Sequence, residues 1–150
     1  MRKWRRKDYD VVMIVVSACL AGVECRYNGS SYMVPQIAEM VKQGKAIPIC
    51  PEILAGLPTP RPPAEQYKGK IISVGGKDQS AEYELGAKIG LDIAVASRCQ
   101  RAILKSKSPT CGSGLIYDGT FSEKLVSGDG IFTKLLKENG IEVCTEEIIK

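Results

Sequence analysis

Val11-Val-Met-Ile-Val-Val16-Ser-Ala-Cys19 is a run of β-type residues that ends in a small polar turn and a cysteine. The same arrangement returns twice. Ala46-Ile-Pro-Ile49 runs straight into Cys50, and Ala102-Ile-Leu-Lys105 leads shortly to Cys111. In an open parallel sheet the C-terminal strand ends share one edge, so thiols remote in sequence converge on one place. Polar or turn residues accompany each of them, in Ser17-Ala-Cys19, Cys50-Pro-Glu52 and Ser108-Pro-Thr-Cys111-Gly. The grouping reads as a metal site rather than as scattered core thiols.

Between these strands the pattern changes to helical. Pro35 suits the first turn of a helix with Ile37, Met40 and Val41 on one face, and Gly44 stops it. From Asp78 to Cys99 runs a longer helix. Asp78 or Ser80 is its expected cap, Leu85, Ile89, Ile93 and Ala96 its expected apolar stripe, and Gly86, Gly90 and Ala94 a neighbouring stripe suited to close packing. A last helix, from Asp129 to Asn139, precedes a strand at Ile141–Cys144. Ile71–Val74 reads as a short strand, and Leu115 to Phe121 as a hairpin arm around Asp118-Gly119. Pro51, Pro58, Pro60, Pro62 and Pro63 fall between Cys50 and Lys70, which argues against helix or central strand there and for a stiff loop walling a site. Strand-helix alternation predicts α/β architecture: a single three-layer Rossmann-like domain over residues 11–150, with a mostly parallel sheet of about four strands. A flavodoxin-like order, with the first strand central and right-handed crossovers, brings the loops holding Cys19, Cys50 and Cys111 to the switch point where such folds bind ligands.

Composition narrows the chemistry. A chain of 150 residues is long enough for a real core without disulfides. It contains no histidine, which excludes Ser-His-Asp and Cys-His catalysis, zinc sites with histidine ligands and histidine acid/base work. Six cysteines without an export signal predict a reducing, cytoplasmic setting in which thiols bind metal or do redox work. The basic start Met1-Arg-Lys-Trp-Arg-Arg-Lys7, the apolar run and Cys19 imitate a lipoprotein signal. The run is too short, however, and Asp8 and Asp10 stand directly before it. No apolar stretch approaches a membrane span. The net charge of +4 is concentrated in residues 1–10, read as a basic tail, so the body is close to neutral and nucleic-acid binding is the minority reading.

Three cysteines without a fourth ligand do not complete a conventional structural zinc site, and the C-x-x-C pairs of zinc ribbons are missing. Three thiolates can instead hold a 4Fe-4S cluster and leave one iron open as a soft Lewis acid for sulfur. Inert buried thiols are the rival reading, and the one preferred for Cys25, Cys99 and Cys144.

Four words in order, Ser17-Ala-Cys-Leu-Ala-Gly22 with Arg26-Tyr-Asn-Gly29, Cys50-Pro-Glu52, Gly56-Leu-Pro-Thr-Pro-Arg-Pro-Pro-Ala-Glu65 and Lys105-Ser-Lys-Ser-Pro-Thr-Cys-Gly112, resemble a bacterial family long labelled a domain of unknown function. That family includes the thiouracil desulfidases, and the resemblance runs from about Val12 to Cys144. It implies that Cys19, Cys50 and Cys111 hold a 4Fe-4S cluster with one open iron. It further implies that Glu52 shuttles a proton and that Ser108 orients substrate or water in a hydrolytic, non-redox release of sulfide from a thiolated nucleobase such as thiouracil. Ser17, Arg61 and Thr110 are further candidate substrate contacts, Thr110 standing where some relatives carry serine. Each has a plainer reading: Glu52 as a loop acceptor, Ser108 as a turn residue and Arg61 as a structural anchor. Two other functions stay open, desulfuration of thiolated bases within RNA and a non-catalytic iron-sulfur or zinc module; oligomeric state is not readable.

Overall fold

The computed structural model describes residues 13–149, so the basic tail and the first two residues of the expected first strand lie outside the described residues. A four-stranded sheet forms the centre, built from β1 (Ile14–Ser17), β2 (Ala46–Ile49), β5 (Arg101–Leu104) and β8 (Glu142–Thr145) in the order β2-β1-β5-β8. All three pairings are parallel, with Ile14 opposite both Ala46 and Arg101, and Arg101 opposite Glu142. The α/β class, the parallel sheet and the central first strand are therefore as expected.

Alternation along the strands divides the core between two faces. Val15, Ala102 and Leu104 face one side with Phe132 and Leu136, while Ile14, Val16 and Ile103 face the other with Ile37 and Met40. The first side is covered by α3 (Ser80–Ala96) and α4 (Ile131–Glu138), the second by α1 (Pro35–Lys42). Phe132, with no exposed surface, contributes about 1.5–3 kcal/mol as a fully buried large side chain.

Three expectations change. The proline-rich stretch does contain helix, a single turn α2 (Pro51–Leu54), because Pro51 takes the first helical position, where a missing N–H costs nothing. It also contains strand β3 (Ala64–Tyr67), which pairs antiparallel with β4 (Lys70–Ser73) in a hairpin apart from the central sheet. The buried face of α3 is not the Leu85 stripe. Leu85 is 53% exposed and Ala96 is exposed, whereas Tyr83, Gly86, Ala87, Gly90, Leu91 and Ala94 are buried. The reason is closeness: a Cβ on Gly86 would stand 1.9 Å from the Pro51 carbonyl oxygen, so only glycine lets α3 lie directly on α2. No side chain caps α3; its N-cap is Gln79, and Asp78 accepts from the Ser80 N–H instead (2.9 Å).

The second hairpin joins β6 (Leu115–Tyr117) to β7 (Leu125–Ser127); the arm anticipated over Leu115 to Phe121 is present but longer, its return strand lying beyond Phe121. Among the described residues, no helix is long and apolar enough to cross a membrane.

Candidate active site

Each of the three cysteines is placed by the turn or loop into which its strand runs. After β1 the chain makes a 3-10 turn, Ala18–Ala21, holding Cys19 at the strand end. The loop then folds back, with Tyr32 N–H donating to the Cys19 carbonyl (3.0 Å) and Val34 N–H to Leu20 (2.8 Å). Cys50 is the N-cap of α2, its carbonyl accepting from the Leu54 N–H (3.0 Å). Cys111 sits in a loop that doubles as the cap of α4, because the Pro109 and Thr110 carbonyls accept from Ile131 (3.0 Å) and Phe132 (2.9 Å). Ser108 ties that loop by accepting from the N–H groups of Thr110 and Cys111, both at 3.0 Å. Cys19 packs with the α1 face and Cys111 with the α3/α4 face, yet both reach one cavity of about 690 Å³ at the carboxyl edge of the sheet. Cys50, Ser17, Glu52 and Ser108 line the same cavity.

The thiols differ in character. Burial, then the neighbouring Cys50, pushes Cys19 up to about 11. Burial holds Cys111 well above the ordinary thiol range, against a hydrogen bond from Ser17. Cys50 is lowered to about 7, chiefly because the Cys25 thiol donates to it, and Cys25 is raised in turn. Cys25 is a buried core thiol, as expected, but it also reaches the site. It lines the cavity because the first loop turns back on itself, with Val23 N–H bonded to the Ala18 carbonyl (3.2 Å) and Arg26 N–H to Ser30 (3.1 Å). Cys99 and Cys144 lie in the core and do not line it.

Glu52 is held from three sides. Arg61 Nε (2.8 Å) and the Tyr83 hydroxyl (3.3 Å) donate to its Oε1, and the Thr110 hydroxyl donates to Oε2 (2.8 Å). With about four lone-pair sites on a carboxylate, roughly one is left for the cavity. Arg61 also donates to the carbonyls of Pro58 (3.1 Å) and Cys25 (2.8 Å) and to the Thr59 hydroxyl (3.0 Å), so most of its fork is turned to the protein, although the residue also lines the cavity. Burial is the largest single influence and would lower that guanidinium; the Glu52 charge and hydrogen bond, with Cys50 and Tyr83, together raise it. Burial and then Glu52 push the Tyr83 phenol up. Thr110 is 1% exposed and does not line the cavity, so it stands beneath Glu52 rather than at a substrate-facing wall. Ser17 does line the cavity, but its hydroxyl oxygen accepts from the Lys105 N–H (2.9 Å), pinning β1 to the end of β5.

Sequence reasoning missed a second polar group on the opposite wall. Glu146 accepts from the Ser106 N–H (2.6 Å) and hydroxyl (2.7 Å) and pairs with Lys105 Nζ (3.5 Å), which also lies 4.5 Å from the centre of the Tyr32 ring. No local signal marks Glu146 or Tyr83, since both act across the fold.

Among the described residues, no three Cys, Asp or Glu side chains gather closely enough to hold one metal ion. Three sulfur donors line one cavity, each from a different strand end, and thiolates are the donor type that iron-sulfur clusters take.

Known proteins share this architecture. The 2-thiouracil desulfurase family profile matches residues 14–148. The uncharacterized protein YbbK of Bacillus subtilis strain 168 is 44% identical over 144 residues, covering 89% of this chain and 95% of that protein. The solved structure of the 4Fe-4S-dependent thiouracil desulfidase TudS superposes with a TM-score of 0.87 at 40% identity, over 92% of this chain and 93% of that one. A family match across almost the whole described chain, with a curated relative of this identity and coverage, places the chain in the 2-thiouracil desulfurase family.

Proposed function

We propose that this protein removes sulfur from a free thiolated pyrimidine of the thiouracil type, using a 4Fe-4S cluster held by Cys19, Cys50 and Cys111. The overall change is hydrolytic: the thiocarbonyl and water become a carbonyl and hydrogen sulfide, with no electrons exchanged. The observation that carries the reading is the convergence of three thiols and the Glu52 carboxylate on one cavity at the carboxyl edge of the sheet. When bound, a cluster with one open iron supplies a soft Lewis acid for a thiocarbonyl sulfur.

The chain's own groups account for the rest. Glu52 takes a proton from the attacking water and returns it to the departing sulfide, the work of a positioned carboxylate in a site without histidine. Arg61, Tyr83 and Thr110 fix its rotamer, so that the remaining lone pair stays aimed at the cavity. Ser108 uses its oxygen to accept from two backbone N–H groups, which leaves its hydroxyl proton to donate to water or substrate. Six free thiols suit a cytoplasmic setting.

Anaerobic reconstitution with iron and sulfide, followed by measurement of sulfide released from 2-thiouracil, 4-thiouracil and thiolated RNA, tests the proposal. Release from the free bases is the expected result. Iron loading without release from any free base overturns it, and release from RNA alone moves the substrate to the polymer.

A further inference from the structure

The chain has two phenylalanines. Phe132 is sealed in the core, while Phe121, at the turn of the β6–β7 hairpin, is partly buried and lines the cavity that contains the three cysteines. Its backbone is unusual, with φ at +56°, a left-handed conformation that bulky residues rarely adopt. Such a conformation persists only where the surroundings enforce it, and clamps around ligands are a common place to find one.

Here the enforcement comes from the other hairpin. Glu65 on β3 accepts from the N–H groups of both Gly119 (3.0 Å) and Phe121 (3.1 Å) through one oxygen. Gly119 lies so close to β3 that a Cβ there would stand 2.7 Å from the Gln66 carbonyl oxygen. Gln66 in turn donates to the carbonyls of Pro109 and Asp129, both at 2.9 Å, which fastens the hairpin pair to the Cys111 loop. Of the other aromatic rings of the wall, Tyr27 and Tyr117 each carry a hydroxyl, and the remaining two have partners of their own. Tyr83 is engaged with Glu52, and Tyr32 carries Lys105 Nζ at 4.5 Å and the Arg26 guanidinium at 5.7 Å from its ring centre. The Phe121 side chain has no polar atom, so among the rings of this wall it alone offers the cavity a wholly apolar face.

We propose that Phe121 is a specificity-determining residue, a rigid wall whose ring stacks on the planar heteroaromatic ring of the substrate and favours thiolated pyrimidines over small acyclic thiocarbonyls. The proposal rests on the thiolated-pyrimidine reading above. Aromatic stacking on a nucleobase accounts for roughly 5- to 150-fold in affinity.

The test uses uracil, which has the substrate's ring but no sulfur to react. Its dissociation constant is measured by calorimetry on the reconstituted parent, Phe121→Gly and Phe121→Trp, with thermal midpoints recorded in parallel. Glycine removes the ring and relieves the positive φ, so its midpoint holds or rises while uracil binding weakens roughly 5- to 150-fold, and tryptophan restores binding. Equal affinity of the parent and the glycine variant overturns the proposal. So does failure of the parent to bind uracil, or a weakening that comes with a lowered midpoint and is not restored by tryptophan. A parent that binds uracil through Phe121 but releases no sulfide from 2-thiouracil overturns the proposed activity and leaves the stacking wall standing.

Discussion

Cys144 and Cys111 are both buried thiols, one within the sheet and one just past its edge. Cys144 stands in register with Ile103, and its Sγ lies 3.8 Å from the Ala102 carbonyl oxygen; burial pushes it up to about 12. Burial pushes Cys111 up as well. By exposure and acidity the two are alike, so neither property separates a packing thiol from a candidate ligand. What differs is the company. Cys111 faces a cavity shared with Cys19 and Cys50, both near enough for their charges to raise it further, and it accepts a hydrogen bond from Ser17. Position relative to the carboxyl edge of a parallel sheet decides the chemistry open to each.

The largest expected effect tests that distinction directly. Replacing Cys19, Cys50 or Cys111 by alanine abolishes the broad visible absorption of the reconstituted protein and lowers its iron content. Cys99→Ala and Cys144→Ala keep both. Full iron content in all three edge variants would erase the difference between the two regions.

Next comes Glu52→Gln, which keeps size and shape but cannot shuttle a proton. Cluster loading survives and sulfide release falls about 10²–10⁴-fold, the range for losing a general acid or base. A rate near the parent's reduces Glu52 to an anchor for Arg61.

The third asks how firmly the edge depends on the helices behind it. Gly86→Ala drives a methyl group into the Pro51 carbonyl, which lies between Cys50 and Glu52, and destabilises the protein by about 1–3 kcal/mol, read from denaturant midpoints. Reduced iron loading should accompany the loss. Its neighbour gives the smallest effect: Leu85→Lys, on the exposed face of the same helix, changes stability by less than about 0.5 kcal/mol in the same measurement. A large loss there would return the buried face to the Leu85 stripe.

That pair of residues also shows where sequence reading fails. Hydrophobic periodicity finds a helix, and α3 was legible on that account. It assigns the inward face by size, however, whereas the inward face here is chosen by how little room α2 and Phe132 leave, so glycine outcompetes leucine and isoleucine. The strands β1, β2, β5 and β8 were legible because each is a short β-type run with turn residues beside it. From these the common edge for Cys19, Cys50 and Cys111 followed. That Cys25 also reaches the cavity was not legible, because nothing local to a loop announces that it folds back. Tyr83 and Glu146 were missed for a related reason: each reaches its partner from a separate element, 31 and 40 residues away in the chain. The β3 strand and the α2 turn were hidden by prolines whose individual positions happen to be tolerated.

The three edge cysteines come from loops that together bracket more than half of the chain, from Cys19 to Cys111. On the ligation proposed above, a cluster joining them is also a clasp that closes two long loops at once, and a ligand that binds only the folded chain adds its binding energy to stability. Oxygen damage to such a cofactor would silence the enzyme and loosen its fold in a single event. Resistance to protease should therefore track iron occupancy across a population of partly loaded protein.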